Sequence, residues 1–105
     1  MNDAGRIRIR VTLDAGIGDI LILMPHPMDN GRTKDEQGRR LPAHFIQQFS
    51  VLLNDAPLIE GELNTSIARN PLFSFKAGGI KPGDRLSVNW TDNTGAHRST
   101  ETKVL

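Results

Sequence analysis

Three histidines, His26, His44 and His97, are the first residues to weigh, because imidazole nitrogens bind metals and move protons near neutral pH. Their spacings of 18 and 53 residues fit no metal-ligand pattern, so no metal site is expected. His97 follows a turn and reads as solvent-facing, and His44 enters a strand. His26 stands apart, locked between Pro25 and Pro27, which fix the backbone on either side. A polar side chain held that rigidly can meet a partner with little loss of entropy. Nucleophilic catalysis finds no support: Ser50, Ser66, Ser74, Ser87 and Ser99 lie outside any Gly-x-Ser-x-Gly context. Gly16-Ile17-Gly18 lacks the third glycine and the following helix of a phosphate loop. Asp29-Asn30-Gly31 and Asp92-Asn93-Thr94-Gly95 lack the distal glutamate of a calcium loop and read as turns. Glu60 and Glu62 share a strand face with no apolar surround to raise a pKa, as a solvated face would have it. With no cysteine, the chain supplies no disulfide, no thiolate ligand and no thiol nucleophile. The residues therefore point to no catalytic group, no cofactor and no metal, and to a binding or structural module.

The elements that must position these residues belong to one domain: 105 residues, 37% hydrophobic and 24% charged, is an ordinary globular composition. Thirteen Lys and Arg against 12 Asp and Glu leave a net charge of +1, too balanced for a nucleic-acid binder. The longest apolar run, Ile20 to Pro25, is far short of the roughly 20 residues that span a bilayer. The first residues, Met1 to Arg6, lead straight into alternating Arg and Ile, so no secretion signal is expected.

Alternation of apolar and polar residues marks the strands. Ile7, Ile9, Val11 and Leu13 share one face of the first; Ile20 to Met24 reads as a second, more deeply buried strand. From residue 29 to 40 apolar residues vanish, and Arg32, Lys34, Arg39 and Arg40 crowd into a long exposed loop of the kind that often carries function. A third strand follows Pro42, with Phe45, Phe49, Val51 and Leu53 on one face and Gln47 breaking the pattern. Leu58 to Leu63 makes a fourth, Pro71 restarts a fifth carrying Phe73 and Phe75, and Leu86, Val88 and Trp90 define a sixth. Asn64 to Asn70 leaves room for a helical turn, and a polar, Thr-rich seventh strand closes the chain as an edge. Seven strands without a long amphipathic helix predict an all-β, immunoglobulin-like antiparallel sandwich without its disulfide.

One stretch carries a resemblance. His26-Pro27-Met28-Asp29-Asn30-Gly31, continuing through Arg32, Lys34 and Asp35, is similar to the histidine-proline-methionine-acidic-x-glycine stretch of the SoxZ family, part of the thiosulfate-oxidising Sox system. Leu41-Pro42, Phe45-Ile46, Asn70-Pro71, Ser74-Phe75 and Trp90-Thr91-Asp92 match further family segments in order, over nearly the whole chain. Leu72, Thr33 and Ala43 depart from the family's usual aromatic, arginine and basic residues. The resemblance implies a non-catalytic subunit paired as a heterodimer with SoxY, whose cysteine-bearing C-terminal arm carries sulfur intermediates. It also implies transient contacts with the pathway's enzymes, and a periplasmic location reached by export with a signal-bearing partner. Docking falls on His26, Met28, Arg32, Lys34, Arg39 and Arg40, with stable pairing on a sheet face or edge and a homodimer open to the isolated chain. The residues alone also allow a stand-alone immunoglobulin-like binding or adhesion module that uses loop 26–40.

Overall fold

A computed structural model describes residues 6–105. Residues 1–5, on which the expectation of no secretion signal partly rests, lie outside the described residues. The expected immunoglobulin-like sandwich is present, as seven strands in two antiparallel sheets. They are β1 (Arg8–Asp14), β2 (Ile17–Leu23), β3 (Ile46–Leu53), β4 (Ala56–Glu62), β5 (Leu72–Gly78), β6 (Arg85–Asp92) and β7 (His97–Lys103). One sheet has the order β1-β2-β5 and the other β4-β3-β6-β7. Among the described residues no helix forms, so residues 64–70 hold turns rather than a helical turn, and no helix is long and apolar enough to cross a membrane.

The two inner faces supply the core, in which Ile20, Ile22, Ile46, Val51, Leu86 and Val88 are buried. Phe49 of β3 stacks on Phe73 of β5 across the sandwich, ring centroids 5.0 Å apart. Close approach there depends on Gly61, whose missing side chain leaves room for the Phe49 ring. The β1–β2 connection is tighter than expected. Ala15 and Gly16 both take left-handed φ (52° and 80°), which makes a two-residue turn whose twist matches the strands, and β2 begins at Ile17.

Two expectations change in detail. The run from Ile20 is not uniformly buried: Ile20 and Ile22 point inward, whereas Leu21 and Leu23 lie half-buried on the outer face. In β3 the inward residue at the strand start is Ile46, not Phe45. Ile46 pairs with Asp92 and Gln48 with Thr91, so Gln47 is the extra residue of a bulge. That single insertion explains why Gln47 broke the alternation, since it returns Ile46 to the face of Phe49 and Val51.

Candidate functional site

The alternation of β6 runs Leu86, Val88, Trp90, Asp92, so the last inward side chain is a carboxylate. Asp92 is only 2% exposed, and every oxygen it owns is used. Its Oδ1 accepts from the Thr94 N–H (2.9 Å), the Thr94 hydroxyl (2.6 Å) and the Ala96 N–H (3.1 Å) in the β6–β7 hairpin. Its Oδ2 accepts from Nε2 of His26 (3.0 Å) and Nε2 of His44 (2.8 Å). Burial pushes the carboxyl pKa up, but the bonds from Thr94, His26 and His44 outweigh it and hold the group well below the usual carboxylate range.

The rest of the network fixes His26. The Met28 N–H donates to His26 Nδ1 at 3.1 Å, so the ring proton sits on Nε2 and points at Asp92. The His26 main-chain N–H donates to Asn70 Oδ1 at 3.0 Å, and the Asn70 N–H returns a bond to the His26 carbonyl at 2.9 Å. The imidazole also meets Trp90 edge to face, centroids 5.0 Å apart, and His44 at 4.5 Å. Met28 takes a left-handed φ of 51°, which costs a branched or long residue on the order of 1 kcal/mol. Its thioether, buried in the core, accepts from the Ile46 N–H at 3.3 Å. Trp90 Nε1, by contrast, is buried with no hydrogen-bond partner among the described residues.

His26, His44 and Asp92 have the residue types of a metal centre, and their donor atoms lie within 4.8 Å of one another. The hydrogen bonds fit a proton-sharing triad instead. With Nδ1 of His26 already accepting from Met28, a metal at Nε2 would require a doubly deprotonated ring. His44 is 38% exposed at its side chain and His26 only 2%, and both border an open cleft of about 490 Å³ also lined by Asp92, Arg69 and Arg98.

The structure places the expected docking residues in two groups. His26 (4% exposed) and Met28 are buried, which corrects their reading as surface contacts: the prolines aim the imidazole inward at Asp92 rather than outward at a partner. Arg32, Lys34, Arg39 and Arg40 are exposed on the loop. That loop is more ordered than its composition suggested. Asp35 Oδ1 accepts from the Gln37 and Arg39 N–H groups, Lys34 bridges Arg40, and Arg39 lies 3.5 Å from the Asp35 carboxylate. His44 and Asp92 were missed as site residues, one read as a strand start and the other as a turn. His97 is exposed on β7 and takes no part.

A family model described as "Sulphur oxidation protein SoxZ" matches residues 7–103. None of the curated proteins matches the chain.

Proposed function

The chain belongs to the SoxZ family and so to the Sox sulfur-oxidation system, and from that premise we propose that it is the non-catalytic half of a two-subunit sulfur carrier. The observation that carries the reading is the pairing of a nearly full-length family match with the absence of any cysteine. A covalent sulfur carrier needs a thiolate to hold its cargo, and this chain offers none. The thiol belongs to a SoxY-type partner whose C-terminal arm bears the cysteine, and this chain gives that arm a folded base. The complex works in the periplasm, which the chain reaches by export against its signal-bearing partner.

A carrier served by several enzymes needs one stable interface and others that release quickly. The exposed guanidiniums and ammonium of loop 29–40 suit the second task, since charge at an exposed rim speeds encounter without slowing release. Arg32, Lys34, Arg39 and Arg40 are thus the residues on which transient docking falls. His26 and Met28 contribute from beneath, by fixing the loop's root.

Co-expression with a SoxY-type subunit tests the first part. A stable 1:1 complex is expected, and a chain that elutes alone, or that turns over thiosulfate by itself, overturns the reading. Reversal of Arg39 and Arg40 to Glu tests the loop. Turnover of loaded carrier by at least one Sox enzyme should fall at low salt, and unchanged turnover by all of them refutes docking there.

A further inference from the structure

The two outward faces of the sandwich are unlike. On the four-stranded sheet the outer face presents Gln48, Ser50, Glu60, Glu62, Asn89 and Thr91, with Leu52 its half-buried aliphatic. Water suits that surface. On the three-stranded sheet the register sets Arg8 beside Leu23 and Leu23 beside Leu72, then Arg10 beside Leu21 and Leu21 beside Ser74. Leu72 is 61% exposed and Ile17 50%. Apart from Leu105 at the chain's end, these are the large hydrophobic side chains left exposed among the described residues, and both lie on this one face.

We propose that this outer face of β1-β2-β5 is the surface on which the partner subunit seats, through an apolar patch ringed by carboxylates on the partner's side. The proposal rests on the heterodimer reading given above and adds the location. Contiguous aliphatic side chains next to guanidiniums are what the core and rim of a stable interface contain. The charge selects the partner. Around Leu21, Leu23 and Leu72 stand Arg8 and Arg10, neither within ion-pairing distance of a carboxylate among the described residues. The face's own carboxylates, Asp14 and Asp19, lie toward the other end of the sheet. An acidic rim on the incoming protein would answer both cations, whereas a second copy of this chain brings three cations, Arg8, Arg10 and Lys76, against the two carboxylates Asp14 and Asp19 to the same face.

The test uses the chain co-expressed with its SoxY-type subunit. Leu72→Glu should weaken the complex roughly thirtyfold or more, since a carboxylate replaces an aliphatic anchor beneath the partner. Reversing Arg8 and Arg10 to Glu should slow association most at low salt, where the new repulsion is least screened. Gln48→Glu, on the opposite face, should leave affinity within twofold. An unchanged melting curve for the isolated Leu72→Glu chain separates lost binding from lost folding, as its exposure predicts. Wild-type complex formation with Leu72→Glu also binding within twofold overturns this inference and leaves the carrier reading standing. A wild-type chain that forms no complex overturns both. A homodimer of the isolated chain that Leu72→Glu dissociates would assign the face to a second copy, against the proposal.

Discussion

Asp92→Asn is the sharpest probe of the buried triad, because it changes charge and donor pattern while keeping shape. The amide oxygen can replace Oδ1 and keep the bonds from Thr94 and Ala96, which leaves the amide nitrogen where Oδ2 received two imidazole N–H groups. His44 has a remedy: its Nδ1 has no hydrogen-bond partner among the described residues, so the proton can move there and Nε2 can accept. His26 has none, since Nδ1 already accepts from the Met28 N–H and Nε2 must keep its proton. Two donors then face each other between side chains that are only 2% and 1% exposed. Losing the charge-assisted bond costs about 1.5–3 kcal/mol, and the stranded buried donor about 1–3 kcal/mol more. A net loss of about 3–5 kcal/mol matches the penalty for removing one partner of a buried charged network. At about 4 °C per kcal/mol for a domain near 100 residues, Tm should fall by about 12–20 °C. Calorimetry at neutral pH and urea titration give the two independent numbers. His44→Ala is the control and should cost only about 1 kcal/mol, because water can reach the position its half-exposed ring leaves. A drop below about 4 °C for Asp92→Asn, or an equal drop for the two variants, would refute the assignment of the protons.

Acid should expose the same carboxylate. Its folded pKa lies below the unfolded value, so its contribution is complete above about pH 5 and is lost as pH falls toward the folded value, while Asp92→Asn removes that slope. Urea titrations between pH 6 and 2 measure it; equal slopes for wild type and Asp92→Asn would contradict the depressed pKa. Gly61→Ala should destabilise by about 1–3 kcal/mol, because the new Cβ would lie 2.6 Å from Phe49 Cε1 and force the stacked ring off Phe73. Gly78→Ala, with nothing within 4 Å, should be neutral by the same thermal melt, and equal losses at both positions would remove the packing explanation.

The strands were legible because one face of each meets the core and the alternation that follows is strict, as in β1 and β6. It failed where a bulge changed the phase. Gln47 looked like a polar residue on the buried side, and the pairing shows it as the inserted residue that turns Ile46 inward. The site was hidden for a different reason. His26 and His44 are 18 residues apart, and the Asp29–His44 bridge that brings them together is a contact no local pattern encodes. Asp92 was more accessible. Extending Leu86, Val88 and Trp90 by one step puts a carboxylate inside, and a buried carboxylate must find donors, for which two histidines were available. Its place in an Asp-Asn-Thr-Gly turn drew attention to the turn instead, and both roles are real, because Oδ1 builds the hairpin while Oδ2 holds the histidines.

That double use links the core to the charged loop. The loop leaves the sandwich at Asp29 and returns at His44, which exchange both main-chain hydrogen bonds (2.7 and 2.9 Å). Asp92 grips His26 on the outgoing arm and His44 on the returning one, so a single carboxylate closes the base of a segment bearing Arg32, Lys34, Arg39 and Arg40. A loop with a fixed base and an internally bonded turn at Asp35 loses less entropy on meeting a partner than a free excursion of the same length. The buried triad and the exposed cations are therefore parts of one device. Loosening the first should weaken docking by the second even at temperatures where the sandwich stays folded, and Asp92→Asn assayed well below its lowered Tm separates that effect from global unfolding.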